Sequence, residues 1–244
     1  MKLIFIIIAV AYLLLFLVRW LLSLIYYKKG KSDVTDFPEN LFTVVQPILS
    51  GDPRLESDLR ANLQQTKTVE FYWLIDQSDT EAQRVANKIC QDELFSQRIR
   101  IFLIEDVPQG INPKSYKIEQ VVEDLTRPYL IVLDDDSVID FSKMGELTAY
   151  LGQEVILTGI PYNQERSNFW SKLVAAFVNG NSLITYFTMA QVEANHSING
   201  MFYILPVNLV KDQDLFTAIK DYLCDDLAVA DFLSSKGVSI VQTR

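Results

Sequence analysis

The chain contains little cysteine or histidine, and this limits the metal and redox chemistry open to it. Of its 244 residues, two are cysteines, Cys90 and Cys224, and one is a histidine, His196. The cysteines stand far apart and outside any C-x-x-C spacing, which is typical of a reduced cytosolic protein and not of a disulfide scaffold. A single histidine argues against a histidine-rich zinc site.

Positive charge is also scarce. The sequence has 22 Lys and Arg against 31 Asp and Glu, for a net charge of -9 and a pI near 4.7. Proteins that bind nucleic-acid phosphates normally carry a basic surface, so we expect no nucleic-acid partner. Hydrophobic residues make up 49% of the chain, enough for one sizeable domain with its own core.

The N-terminus carries a long apolar run. Residues 3–18 are uninterrupted apolar sequence, and Trp20–Tyr27 extends the run past Arg19. About 20 apolar residues span a bilayer core, so we expect a single transmembrane anchor over residues 1–27. Arg19 would reach towards the interface. A cleaved signal peptide fits less well, because the run is too long and no A-x-A-like site follows.

The lysines that flank this run indicate its orientation. Lys28, Lys29 and Lys31 follow the apolar segment, whereas only Lys2 precedes it. Since cytoplasmic flanks carry the excess of positive charge, we expect the main domain on the cytoplasmic side.

The rest of the chain predicts an α/β domain. Residues 28–40 read as a polar linker, and the domain is expected to span 41–244. Apolar runs that read as strands, LFTVVQPI, EFYWLI, RIRIFLIE and YLIVL, alternate with helical patterns. This order predicts βαβ units and a mostly parallel, doubly wound sheet. Ligands bind such sheets beyond the carboxyl ends of the strands.

Acidic residues follow two of these predicted strands. Asp76 and Asp79 come after EFYWLI, and an aspartate triplet that includes Asp134 and Asp136 comes after YLIVL. Mg²⁺ and Mn²⁺ prefer carboxylate oxygens, so Asp134 and Asp136 at a D-x-D spacing could hold one of these ions. Asp76 or Asp79 could accept hydrogen bonds from a base or ribose. The alternative for both groups is a helix cap or an acidic turn.

A further acidic pair and a lysine also have two interpretations each. Asp225 and Asp226 lie in a helical pattern in which Leu223, Leu227 and Ala230 form a predicted apolar face. They are either a solvated helix start or a general base that takes a proton from an attacking hydroxyl. Lys114, in the stretch INPKS, could meet a phosphate at a loop-to-helix junction. A surface lysine is the alternative.

The order of these segments is more specific than any one of them. The series TVVQPILSGDPRLESDLRANL, DQSD, GINPKSYKIEQ, LDDDSVID, INGMFYI and DDLAVADFLSSKG resembles the ceramide glucosyltransferase-like family, from about Leu41 onwards. These are inverting lipid glycosyltransferases with the nucleotide-sugar GT-A fold. The resemblance implies transfer of a hexose, most simply glucose, from a UDP-sugar to the hydroxyl of a lipid acceptor such as ceramide or diacylglycerol.

The resemblance also assigns roles to the acidic positions and to one lysine. Mg²⁺ or Mn²⁺ would bridge the diphosphate of the donor, and an aspartate would deprotonate the acceptor. The implied positions are Asp76, Asp79, Lys114 and Asp134 for the nucleotide-sugar, Asp134 and Asp136 for the metal, and Asp226 with its neighbour Asp225 for the base.

Two parts of the sequence leave alternatives open. The family's terminal Q-x-x-R-W is not matched, since Gln242 is followed only by Thr243 and Arg244. We therefore expect either an active enzyme that is shortened at the C-terminus or an inactive relative that binds a nucleotide or a partner. The aromatic stretch 168–187 predicts either an ordinary core helix or an apolar surface near the membrane, where a lipid acceptor is presented.

Overall fold

The computed structural model describes residues 2–29, 36–164 and 168–243. Residues 30–35 of the predicted linker therefore lie outside the described residues. The strands are β1 (Phe42–Ile48), β2 (Glu70–Asp76), β3 (Ile99–Ile104), β4 (Tyr129–Leu133), β5 (Val155–Thr158), β6 (Phe202–Pro206) and β7 (Ser239–Gln242). The α-helices are α1 (Lys2–Lys28), α2 (Leu55–Gln64), α3 (Thr80–Cys90), α4 (Glu93–Ser96), α5 (Pro113–Glu119), α6 (Phe169–Gln191), α7 (Val207–Asp212), α8 (Leu215–Ile219) and α9 (Asp225–Ser235). Short 3-10 helices cover Glu39–Leu41, Val122–Asp124 and Phe141–Tyr150.

The strands form a seven-stranded sheet in the order β3-β2-β1-β4-β6-β5-β7. Pairing is parallel from β3 through β2 and β1 to β4. The strand β6 runs antiparallel to both β4 and β5, and β7 pairs parallel with β5. The prediction of an α/β fold with a mostly parallel sheet is confirmed.

The central strands are buried on both faces, which explains their continuous apolar sequences. In β2, Tyr72 and Leu74 point into one core cluster, whereas Phe71 and Trp73 point into the other. Successive side chains of a strand alternate between faces, so a strand covered by helices on both sides must be apolar throughout. This packing fixes the carboxyl ends of β1, β2 and β4 on the same side of the sheet, where its strands end.

The predicted apolar face of α9 was wrong for Leu223 and Leu227 and correct for Ala230. Leu223 lies before the helix and is 97% exposed, and Leu227 is also exposed. The buried residues of α9 are Ala228, Val229, Ala230 and Leu233. Because α9 begins only at Asp225, Leu223 cannot share a helical face with the residues that follow.

Two helices in the described part of the chain are long and apolar enough to cross a membrane, by length and composition alone. They are α1, with 27 residues, and α6, with 23 residues. The core-helix interpretation of the segment around α6 was wrong, because only Ala175, Phe187 and Thr188 of this helix are buried. The span of α1 agrees with the anchor predicted over residues 1–27.

Candidate active site

The carboxyl ends of β2 and β4 and the first turns of α5 and α9 meet at one edge of the sheet. Local sequence places α5 there, because the Asn112 side chain caps the helix by accepting a hydrogen bond from the Ser115 N–H at 3.0 Å. Pro113 at the first helical position suits the same turn. The Asn112 N–H donates to the Lys220 carbonyl at 2.7 Å, which ties this loop to the end of α8.

Lys114 joins the two acidic segments that the sequence left apart. Its Nζ lies 2.6 Å from Asp134 Oδ1, at the end of β4, and 3.5 Å from Asp225 Oδ2, at the start of α9. The same ammonium also donates to the Gly200 carbonyl, just before β6. All three charged side chains are mostly covered, with exposures of 17% for Lys114, 33% for Asp134 and 20% for Asp225. Lys114 is therefore the internal counter-ion of this cluster.

Burial dominates the electrostatics of the Asp134 carboxyl. Desolvation raises its pKa, and the charges of Asp136 and Asp225 raise it further, while the Lys114 ammonium opposes both effects. The Oδ2 atom of Asp225 is buried and makes no hydrogen bond within the described residues. The cluster thus concentrates negative charge and carries an acceptor that a cation or a polar ligand could satisfy.

The floor of the cluster is the ring of Tyr203, on β6. Lys114 Nζ lies 5.8 Å from the ring centroid, within range of a cation–π interaction. Burial raises the pKa of Tyr203 well above its ordinary value, and the neighbouring carboxylates add to this effect. Its hydroxyl is buried without a hydrogen-bond partner among the described residues.

Asp226 occupies the side of the cluster next to Gly200. Its Oδ1 accepts a hydrogen bond from the Leu227 N–H at 2.7 Å and one from the Cys224 thiol at 2.8 Å. A Cβ atom on Gly200 would come within 3.2 Å of Asp226 Cβ and 3.3 Å of Oδ2. The absence of a side chain at Gly200 therefore lets Asp226 sit against the backbone that also binds Lys114.

The two aspartates after β2 have different structural roles. Asp79 caps α3, since its Oδ1 accepts from the Ala82 N–H at 2.9 Å and its Oδ2 accepts from the Ser50 N–H at 2.7 Å. Asp76 instead forms an ion pair with Lys117 at 2.8 Å, and the Lys117 side chain is only 5% exposed. The second oxygen of Asp76 is buried without a hydrogen bond in the described structure.

Within the aspartate triplet, Asp135 has a structural role. Its Oδ2 accepts a hydrogen bond from the Leu49 N–H at 2.7 Å, which ties the end of β4 to the loop after β1. Burial raises the pKa of this carboxyl. Asp136, by contrast, is exposed. The turn interpretation thus applies to Asp135, and Asp134 and Asp136 remain for other roles.

A cavity of about 700 Å³ lies beside the D-x-D segment. Its lining includes Asp136, Asn199 and Met201, together with Val174 and Ala175 of α6. The Asp134 N–H donates to the Met201 carbonyl at 3.0 Å, so the backbone of one lining residue contacts the charged cluster directly. Asn199 and Met201 flank Gly200, so the cavity borders the backbone that binds Lys114 and lies against Asp226.

The described residues contain no group of three or more His, Cys, Asp or Glu side chains arranged to hold a metal ion. Asp134 and Asp136 nevertheless fit a hard cation by their chemistry, because Mg²⁺ is commonly bound by one or two carboxylates together with substrate phosphates. The charge of Asp136 raises the pKa of Asp134, so the two carboxylates lie near enough for one cation to relieve their repulsion.

Comparison with known proteins identifies the family of this chain. The family model of glycosyl transferase family 21 matches residues 1–243. The chain belongs to this family. No curated protein matches the sequence.

Solved structures show that this family 21 chain has the GT-A fold. One is the mannosyltransferase PcManGT from Pyrobaculum calidifontis in complex with GDP-Man and Mn²⁺, at 13% identity and a TM-score of 0.58, with 93% of this chain and 63% of that chain covered. Another is TarS from S. aureus, at 12% identity and a TM-score of 0.53, with 83% and 35% covered. The chain thus spans less than two thirds of the length of either structure.

Three residues of the family 21 site were not predicted from the sequence. Lys117, Gly200 and Tyr203 all contact or underlie the predicted aspartates, yet none was singled out. Lys117 stands three residues after Lys114, so both fall on one face of α5, and this spacing could have indicated a second buried cation. The stretch INGMFYI contains Gly200 and Tyr203, but a lone glycine or tyrosine carries no chemical pattern.

Proposed function

We propose that this protein is a membrane-anchored, inverting glycosyltransferase that transfers a hexose, glucose, from a UDP-sugar to the hydroxyl of a lipid such as ceramide or diacylglycerol. The observation that carries the proposal is the bridge from Lys114 to Asp134 and Asp225. It joins a strand end typical of nucleotide sites to the helix that holds the candidate base. Membership of family 21 supports glycosyl transfer as the reaction class.

The donor would bind along the edge formed by β2, α5 and β4. Asp76 has one carboxylate oxygen without a hydrogen bond and would accept one from the base or ribose, whereas Asp79 is occupied by two backbone N–H groups. The Lys114 ammonium would oppose the charge of the diphosphate, because a fixed cation in a partly buried site costs little reorganisation.

Asp134 and Asp136 would hold Mg²⁺ or Mn²⁺, which neutralises the diphosphate and the charge developing on departing UDP. The mannosyltransferase of the same fold contains Mn²⁺, in agreement with this assignment.

Asp226 would act as the general base. It takes the proton of the acceptor hydroxyl while that oxygen attacks the anomeric carbon, and the bond from this carbon to the UDP oxygen breaks. Attack from the side opposite the leaving group inverts the configuration, so no protein nucleophile is needed. Asp225 stays with Lys114 and helps to position it. The acceptor would lie in the 700 Å³ cavity beside Asp136, with the anchor α1 keeping the domain on the cytoplasmic face of the membrane.

The experiment uses membranes that contain the full chain, radiolabelled UDP-glucose, Mn²⁺ and mixed ceramide and diacylglycerol acceptors. Asp136→Ala should abolish metal-dependent transfer, while Asp212→Ala, an exposed aspartate at the end of α7, should retain it. An undiminished rate in Asp136→Ala would contradict the assignment of Asp136 as a metal ligand. UDP binding without any transfer by the unaltered chain would favour the inactive relative.

A further inference from the structure

The N-terminal half of α6 exposes a contiguous apolar surface. Phe169, Trp170, Leu173, Val174 and Phe177 form this surface, which we call the α6 stripe, and their exposures are 69%, 71%, 50%, 53% and 71%. Residues four apart stack on one face of a helix, so the stripe is continuous and not scattered. Soluble proteins expose single apolar residues freely, but a patch of this kind marks an interaction site.

The charge of α6 identifies the partner chemistry. The helix contains no acidic residue, and its one charged side chain is Lys172, although the whole chain carries a net charge of -9. Anionic lipids of a cytoplasmic leaflet attract lysine and repel carboxylates. Aromatic residues such as Phe169 and Trp170 suit the level of the headgroups. These features favour a lipid surface over a protein partner.

Contacts with α1 fix the depth of α6. Arg19, inside the apolar run of α1, donates a hydrogen bond to Thr185 Oγ1 at 3.0 Å, and Thr188 Oγ1 donates to the Arg19 carbonyl at 2.9 Å. The Ser23 hydroxyl donates to the Leu183 carbonyl at 3.0 Å. An ionisable residue within a membrane segment normally faces a polar partner on a neighbouring helix. The C-terminal half of α6 is thereby held against the anchor, and the α6 stripe lies in the half that precedes these contacts.

The N-terminal half of α6 also contacts the globular domain, which argues against a helix that crosses the bilayer. Ala175 is buried, and Asn179 exchanges two hydrogen bonds with the backbone of Asn163, at 2.8 and 3.0 Å. A helix that packs on the globular domain in its first half and on the C-terminal part of α1 in its second half suits a position along the membrane surface.

We propose that α6 is an interfacial membrane helix that inserts the α6 stripe into the lipid headgroup region. A second part of the proposal, which rests on the proposed function, is that the lipid acceptor enters the 700 Å³ cavity past this helix. Ser171, Val174 and Ala175 line that cavity, and Val174 belongs to the stripe as well. The stripe therefore borders both the bilayer and the cavity.

Tryptophan quenching tests the position of α6 without any need for activity. The chain contains three tryptophans, Trp20, Trp73 and Trp170. Trp73 is fully buried in the sheet and serves as the baseline. The Trp20→Phe variant and the Trp20→Phe/Trp170→Phe variant would be reconstituted in vesicles with brominated acyl chains. An apolar face inserts about 5–10 Å into the headgroup and acyl boundary, so bromines near the headgroup end should quench more than bromines near the methyl end.

Quenching in Trp20→Phe that exceeds quenching in the double variant would support the interfacial position. Equal quenching in the two variants would overturn it, because Trp170 would then lie away from lipid. Stronger quenching by bromines near the methyl end than by those near the headgroup would also contradict an interfacial helix.

The acceptor route is tested by comparing two acceptors. Phe177→Glu should lower transfer to a long-chain acceptor embedded in vesicles and leave transfer to a short-chain, water-dispersed acceptor near the level of the unaltered chain. Leu94→Glu, at a 79% exposed position on α4, is the matched control and should change neither rate. An equal effect of Phe177→Glu on both acceptors would contradict entry past α6. Failure of the proposed function would instead abolish transfer in every protein, with the quenching result unaffected.

Discussion

Lys114 Nζ lies 2.6 Å from Asp134 Oδ1, and this ion pair connects the first turn of α5 with the end of β4. Each residue alone has an ordinary structural interpretation. Together with Asp225, 3.5 Å from the same ammonium, they form a partly buried cluster in which two carboxylates share one cation. A cluster of this kind binds cationic or polar ligands readily, because its own charges are only partly neutralised.

Removal of the Lys114 charge should therefore impair the site strongly. Lys114→Ala is expected to lower kcat/KM by about 10²-fold, in line with the loss of one preorganised electrostatic group. The ammonium lowers the pKa of Asp134, so its removal raises that pKa further. The acid limb of the pH profile should accordingly move to higher pH, since Asp134 must be ionised to bind a cation.

Lys88→Ala is the matched control for this prediction, because Lys88 pairs with Glu56 on the surface. Its rate and pH profile should equal those of the unaltered protein. An unchanged acid limb of the pH profile in Lys114→Ala would show that Asp134 is not the group that controls this limb.

Lys117 should matter for stability. The ion pair with Asp76 is buried, and removal of one partner leaves the other charge uncompensated. Lys117→Ala should lower the free energy of unfolding by about 3–5 kcal/mol. Denaturant unfolding of this variant and of Lys117→Met/Asp76→Asn measures the effect, and the double variant should recover much of the loss. Equal destabilisation by both variants would show that packing, and not charge, is responsible.

Asp76 and Asp79 should separate into a binding role and a capping role. Asp79→Ala should cost about 1 kcal/mol of stability through loss of the α3 cap and leave UDP affinity nearly unchanged. Asp76→Asn should weaken UDP binding. Calorimetry at a temperature well below that of unfolding measures this affinity while the variant is folded. Asp79→Ser keeps a capping oxygen and serves as the control. Weaker UDP binding in Asp79→Ala than in Asp76→Asn would reverse the assignment.

The fold and the location of the site follow from the sequence for a clear physical reason. Ligands bind beyond the carboxyl ends of parallel strands, and the sequence places acidic residues directly after the runs EFYWLI and YLIVL. The structure brings Asp76 and Asp134 to these carboxyl ends and adds Lys114 and Asp225 to them. The roles of the individual residues stay predictions, because geometry alone does not assign them.

The features of the fold and site that the sequence did not predict depend on contacts between distant segments. The spacing of Lys117 from Lys114 indicates a shared helix face, but nothing in the local sequence indicates that its partner is Asp76, 41 positions away. The strand β6 enters the sheet antiparallel between β4 and β5, which no local alternation predicts. The division of labour within the aspartate triplet arises only when the loop after β1 places the Leu49 N–H against Asp135.

Gly200 should tolerate no side chain without a loss of activity. A methyl group there would contact Asp226 at 3.2 Å and push it from the position it holds beside the Lys114 cluster. Gly200→Ala should lower kcat more than it raises KM, with a loss of less than about 10²-fold, the cost of a misplacement near 1 Å. Gly180→Ala is the control, since a Cβ there meets nothing within 4 Å. A kcat equal to that of the control would mean that Asp226 is not positioned by this contact.

The most direct measurement compares Asp226→Asn with Asp231→Asn, an exposed aspartate on the same helix α9. Membranes that contain the full chain would receive radiolabelled UDP-glucose, Mn²⁺ and a mixture of ceramide and diacylglycerol. Transfer of label to lipid is expected in the unaltered protein and in Asp231→Asn, and EDTA should abolish it. Asp226→Asn should lose about 10²–10⁴-fold in rate while UDP binding persists, as expected for loss of a general base. Transfer at an undiminished rate in Asp226→Asn would contradict its assignment as the base.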